Sequence, residues 1–259
     1  MKVFILGNCQ ANAMRGLCRE MFPNVDVSFL SITPFWGAFD EEKARDLLAG
    51  ADLIICQAIT NPDATFNVDD IRRSTHGEIV FIPYVYLDGI ASLEIVASKG
   101  KSVIRGMQEL MHDQEARKPI RIFEDYCSGR IDMKSEQRIF SSLEKMAAKE
   151  SAHCSIVISD YLAETWRKQP TLYGINHPTQ HVIFEMFRRI CERVGWKYDP
   201  NHKNDPIVWG RRALPSGTRS LTPFDAKRLR LGYQADPHWY GQAYKLVNLA
   251  VKACDTGRA

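Results

Sequence analysis

Residues 1–10, MKVFILGNCQ, decide the fold class. Val3 to Leu6 is a short apolar run ended by Gly7, the pattern of a buried strand. Residues in helical company follow from Gln10 to Phe22 and are closed by Pro23. Working outward, Val25 to Leu30 alternates Val25, Val27 and Phe29 as a second strand. Asp40 caps the helical run EEKARDLLAGA, with acids in the first turn where the helix dipole favours negative charge. Leu53 to Cys56 predicts a third strand, and Ile79 to Ile82 a fourth that stops at Pro83. Strands alternating with helices predict a parallel sheet with crossover helices.

Beyond this region helices are expected over 89–116, 133–149, 156–168, 178–194 and 237–254. The last of these places Tyr240, Tyr244, Val247 and Val251 on one face. Asn201 to Thr222, rich in Pro, Gly, Asn and Arg, reads as a long loop. The expected fold is α/β, with a parallel sheet flanked by helices in the N-terminal half and a mainly helical C-terminal half. It is expected to form a single domain over 1–259, with 1–88 supplying the sheet and 89–259 a helical part packed on it.

Composition narrows the function classes. Of 259 residues, 45% are hydrophobic and 25% charged, a balance that excludes disordered, collagen-like and disulfide-scaffold proteins. Thirty-four Lys and Arg against 31 Asp and Glu give +3, too small a bulk charge to argue for a nucleic-acid partner. The cysteines (Cys9, Cys18, Cys56, Cys127, Cys154, Cys191 and Cys254) are dispersed without CxxC pairs, as in a reducing compartment. The apolar run Val3 to Leu6 is shorter than a secretory h-region or a membrane span, so a soluble, cytoplasmic protein without an integral membrane segment is expected.

Cys9 is the most informative position. It follows a buried strand and opens a helix, and the carboxyl ends of strands form the ligand crevice of open α/β sheets. The unpaired N–H groups at the helix start favour a thiolate there. Asn8 and Gln10 bring side-chain amides beside it. The competing reading is a small packed residue, which is what most free cysteines are. A nucleophilic cysteine needs a base, and His177 in GINHPTQHVIFEMF is the candidate. With Pro178 suited to the first helical position, His177 sits at a helix start, where the dipole favours neutral imidazole. A capping role is the alternative. The spacing to His181, with Glu185 one turn on, also suits a metal, but Pro178 stands where a zincin has Glu, so no metal is expected. Gln57, at the end of the third strand, is a neutral donor suited to an oxyanion. Asn61, in Asn61-Pro62-Asp63, reads as a turn residue. Basic residues cluster late in the chain, around Arg211 and Arg212, and Arg72 and Arg73 form another pair. Guanidinium groups suit phosphates, although a charge run is more often a solvated face.

GNCQ after the first strand, DLIICQ at the third and NHPT before a long helix together resemble the WcbI-like family of polysaccharide-biosynthesis proteins, over roughly residues 1–195. The resemblance implies an α/β fold, binding of coenzyme A or acetyl-CoA, and acetyl transfer to a carbohydrate hydroxyl in capsule synthesis. It implies acyl-CoA and a carbohydrate acceptor as partners. A more distant resemblance runs to the SGNH hydrolases, whose nucleophile follows the first strand. Here Cys9 stands where those enzymes have Ser, and Gly174 stands where their orienting Asp lies, three before His177. A thiol, with a pKa of about 8.5, needs less help than a hydroxyl, so a Cys–His dyad is chemically adequate without that Asp.

Three function classes therefore compete. An acyltransferase would use Cys9 and His177 with Asn8, Gln10 or Gln57 at the oxyanion and Arg72, Arg73, Arg211 or Arg212 at the cofactor phosphates. An esterase or thioesterase would use the same residues with water as acceptor. A non-catalytic nucleotide- or carbohydrate-binding protein would leave Cys9 structural.

Overall fold

The computed structural model describes residues 1–32, 39–90, 94–98, 101–112, 118–198, 226–227, 229–232 and 239–255. The long loop expected over 201–222 lies outside them, with Arg211 and Arg212. The chain groups into two compact units. One comprises Met1–Val85, Lys145–Asp160 and Pro178–Pro215; the other comprises Tyr86–Glu144, Tyr161–His177 and Ser216–Ala259.

The first unit holds the predicted sheet. Strands β1 (Lys2–Gly7), β2 (Asp26–Ser31), β3 (Leu53–Gln57) and β4 (Glu78–Ile82) are all parallel and lie in the order β2-β1-β3-β4. The helices between them are α1 (Cys9–Met21), α2 (Glu41–Gly50) and α3 (Val68–Ser74). Val3, Phe4, Ile5 and Leu6 are all essentially inaccessible, which explains why β1 reads as a continuous apolar run. Alternation sends Phe4 and Leu6 to one face, where they join Ala44 and Leu48 of α2, Ile71 of α3 and Ile54 and Cys56 of β3. The opposite face is covered by α1, which buries Ala11, Met14, Leu17 and Cys18 and packs against α8 (Gln180–Arg193). Caps fix the helix starts as the sequence predicts. Asp40 accepts the Lys43 N–H at 3.0 Å, and Asn67 accepts from Asp69 and Asp70.

The second unit departs most from expectation. A helix over 89–116 is replaced by an antiparallel pair, β5 (Glu94–Ser98) and β6 (Lys101–Arg105), followed by the short α4 (Met107–Met111). EIVAS and KSVIR are rich in β-branched residues, which are stiff at χ1 and favour the extended chain. An unpredicted helix, α5 (Pro119–Cys127), starts with Pro at its first turn, where the missing N–H costs nothing. Helices α6 (Ser135–His153) and α7 (Ser159–Thr165) lie close to their expected places, and α9 (Trp239–Asp255) follows. The buried face of α9 carries Ala243, Leu246, Val247, Ala250 and Val251 against Ile122, Phe123 and Tyr126 of α5. Val247 and Val251 fit the expected face. Tyr244 stands at the edge of that face, 40% exposed but with its ring edge-on to Phe123 at 5.2 Å. β7 (Leu172–Gly174) and β8 (His177–Pro178) complete the elements as a two-stranded sheet. Among the described residues no helix is long and apolar enough to cross a membrane.

Candidate active site

The strand order fixes where a ligand crevice forms. From β1 the chain steps one way to β2, then returns to place β3 on the other side of β1. This reversal opens a crevice beyond the carboxyl ends of β1 and β3. Those two strands end in Gly7 and Gln57.

Three contacts hold the turn from β1 into α1. Asn8 is the N-cap, and its Oδ1 accepts the Gln10 N–H at 2.8 Å. The Asn8 N–H in turn donates to Gln57 Oε1 at 2.8 Å. The Gln10 carboxamide, fully buried, closes a two-way clamp on Val85: Nε2 donates to the Val85 carbonyl at 2.9 Å and Oε1 accepts the Val85 N–H at 3.0 Å. Gly7 is required here by space. A Cβ on it would lie 2.6 Å from the Ala11 Cβ and 2.8 Å from Gln57 Oε1.

Cys9 is thus the first residue of α1, half-buried, between two residues pinned to β3 and to the chain after β4. Its expected thiolate is not what the surroundings favour. Burial pushes the thiol up, and the pull of the Gln10 and Cys9 backbone N–H groups is the smaller effect. The helix start does act in the expected direction, but desolvation wins.

Asn8 and Gln10 both carry structural hydrogen bonds. The Asn8 side-chain oxygen is committed to the helix cap and the Gln10 carboxamide to Val85. Both organise the turn. Gln57 remains a donor: it is 4% exposed, its oxygen is used, and its Nε2 is buried without a hydrogen-bond partner. Asn61 accepts the Asp63 N–H at 3.2 Å within its turn.

His177 lies in the second unit, in extended β8 rather than at a helix start. Helix α8 begins at Gln180 with Thr179 as N-cap, so Pro178 precedes the helix instead of opening it. The imidazole of His177 is half-buried, and burial lowers its pKa, leaving it neutral by desolvation rather than by a helix dipole. His181, within the first turn of α8, is lowered for the same reason. Among the described residues no group of three or more His, Cys, Asp or Glu is arranged to hold a metal ion.

Arg72 and Arg73 close α3. That helix leaves the carboxyl end of β3, where the Val68 N–H donates to Ile59, and returns to the amino end of β4, where the Glu78 N–H donates to Asp52. Its last turn therefore leads towards the amino end of β4, while the Arg72 side chain reaches Phe81, the register partner of Cys56 in the carboxyl half of that strand. Arg72 pairs with Asp69 at 3.5 Å and stacks over Phe81 at 5.3 Å.

The model of the polysaccharide biosynthesis enzyme WcbI family matches residues 2–199. The chain belongs to this family. No curated protein matches the chain. Among solved structures, a WcbI polysaccharide biosynthesis enzyme is similar, with a TM-score of 0.60 at 15% identity, covering 97% of this chain and 98% of that one. It is described as the native protein without a disulfide bond between coenzyme A and one of its cysteines. The likeness establishes the common fold. Family membership makes the chain one of the polysaccharide biosynthesis enzymes. Its GNCQ segment turns from β1 into α1, and its DLIICQ segment runs into β3, the strand paired with β1.

Proposed function

We propose that the protein is a CoA-dependent O-acyltransferase that moves an acyl group, acetyl by preference, from a CoA thioester to a carbohydrate hydroxyl. The observation that carries this reading is the unpartnered carboxamide N–H of Gln57, whose oxygen braces the turn that presents Cys9 at the switch point. A buried donor without a partner is unusual and marks a place for a developing negative charge. The naming of coenzyme A with a cysteine in the similar solved structure supports the same chemistry.

In the proposed reaction Cys9 Sγ attacks the thioester carbonyl while His177 takes the thiol proton. Gln57 Nε2 and backbone N–H groups at the start of α1 stabilise the tetrahedral oxyanion. Its collapse breaks the bond to the CoA sulfur, which leaves with the proton from His177. The acceptor hydroxyl then attacks the acyl-cysteine, gives its proton to His177, and the Cys9 thiol is restored with that proton. Because burial holds the thiol protonated, the base is a requirement of the first step. The phosphates fall to Arg211 and Arg212 in this scheme, with Arg72 and Arg73 as second candidates.

Incubation with acetyl-CoA in the absence of acceptor tests the scheme by intact mass. An acetyl adduct on Cys9, lost in Cys9→Ala, is the expected result. Transfer of acetyl to an acceptor sugar by Cys9→Ala at near wild-type rate would replace it with direct attack by the hydroxyl. Full turnover by His177→Ala would remove the base from either scheme, since losing a general base costs about 10²- to 10⁴-fold.

A further inference from the structure

The chain that leaves β4 is held by two anchors, two residues apart. At the first, both backbone groups of Val85 end on the Gln10 carboxamide, at 2.9 and 3.0 Å. At the second, the Leu87 N–H donates to the Ile175 carbonyl at 2.8 Å. Gln10, Val85, Leu87 and Ile175 are all closed to solvent, so water does not stand in for a lost partner. Val85 ends this stretch of the first unit, and Tyr86 begins the second.

Each anchor adjoins a residue of the proposed chemistry. Gln10 follows Cys9 directly in the first turn of α1. Ile175 lies in the turn between β7 and β8, two residues before His177. Two residues of extended chain span at most about 7 Å, so the path from Val85 to Leu87 has little slack. A carboxamide carries donor and acceptor in one plane. It engages the N–H and C=O of a single residue together, as a neighbouring strand would. The turn before Cys9 is already held by Asn8 and Gln57. What the Gln10 carboxamide adds to that turn is a fixed Val85.

We propose that Gln10 is a positioning residue for His177, acting along Val85, Leu87 and Ile175 on the segment that carries the imidazole. Gln10 itself moves no proton. The proposal rests on the reading of His177 as the base, and its first two readouts follow the segment and the imidazole without turnover.

Hydrogen exchange at Leu87 and NMR titration of His177, on the full chain as wild type and Gln10→Met, test it. Methionine fills a similar volume and offers Val85 no hydrogen bond. In the variant the Leu87 N–H should exchange about tenfold faster or more. His177, which burial holds below the ordinary value of about 6.5, should titrate closer to it. Either readout unchanged in the folded variant overturns the proposal; a merely structural Gln10 would lower the urea midpoint and move neither. With acetyl-CoA as probe, Gln10→Met should slow acetylation of Cys9 about tenfold or more, a loss that vanishes in the His177→Ala background. Equal loss in both backgrounds overturns it. A wild type that takes no acetyl group removes the acyl-transfer reading and leaves the first two readouts to decide the positioning. Should Gln10→Met fail to fold, Gln10→Glu decides. Its protonated carboxyl offers the same donor and acceptor, and ionisation removes the donor. Leu87 protection should match wild type at acid pH and fall as that carboxyl ionises. The absence of such a step relative to wild type overturns the proposal.

Discussion

Gln57 and Asn8, 49 residues apart, meet through a single 2.8 Å hydrogen bond that uses the oxygen of the Gln57 carboxamide and leaves its nitrogen buried and unpaired. One half of that side chain builds the turn before Cys9, and the other half is the donor proposed for the oxyanion. The two halves separate by substitution. Gln57→Glu keeps the acceptor for Asn8 and removes the donor, so acyl transfer should fall by about 10²- to 10³-fold, the usual effect of losing an oxyanion donor. Gln57→Ala should add a stability loss of roughly 1–3 kcal/mol from the stranded Asn8 N–H. Equal turnover in Gln57→Glu and wild type would reduce Gln57 to a brace.

Gly7→Ala is expected to damage the same place through sterics. The added methyl meets the Ala11 Cβ at 2.6 Å and Gln57 Oε1 at 2.8 Å, distances that force the helix or the carboxamide to move. Overpacking of this kind costs about 1–3 kcal/mol. Urea unfolding should show it as a lower midpoint with little change in slope. A midpoint equal to wild type would show that the turn is looser than described.

The protonation state of Cys9 has its own signature. Burial raises its pKa, so alkylation followed by peptide mapping should be slow at neutral pH and accelerate through and above the ordinary thiol range of about 8.5. A rate already at its plateau near pH 7 would mean that a thiolate is held there after all.

Glu150 supplies a stability test. Its carboxylate is 1% exposed and accepts the Ile158 N–H at 2.9 Å, the Ser159 N–H and the Ser159 hydroxyl. Burial raises its pKa, outweighing those donors. For a carboxyl raised in the folded state, the contribution to stability is complete below the unfolded pKa of about 4.3 and declines as pH rises through the folded value. Glu150→Gln should flatten that part of the stability–pH curve. Glu150→Ala should cost about 1–3 kcal/mol by stranding the donors. An unchanged pH profile in Glu150→Gln would refute the shift.

The sheet was legible because its strands carry their signal locally: Val3 to Leu6 and Leu53 to Cys56 are unbroken apolar runs between breakers. Cys9 and Gln57 were legible for the same reason, as the residues where such runs end. The hairpin β5–β6 was not, since EIVAS and KSVIR fit a short amphipathic helix as well as paired strands, and the pairing decides. The role of Gln10 was hidden for a different reason. A carboxamide that clamps Val85, 75 residues away, is a fact of tertiary placement, which leaves no local mark.

The buried thiols that complete the core have a use as native clocks. Cys18 on α1 and Cys56 in β3 are fully shielded, and burial pushes both thiols up, so a thiol reagent reaches them when their element opens. The time each takes to acquire label therefore counts openings of that helix and that strand separately. With no dye or tag introduced, the chain times its own breathing on the two sides of the turn that presents Cys9.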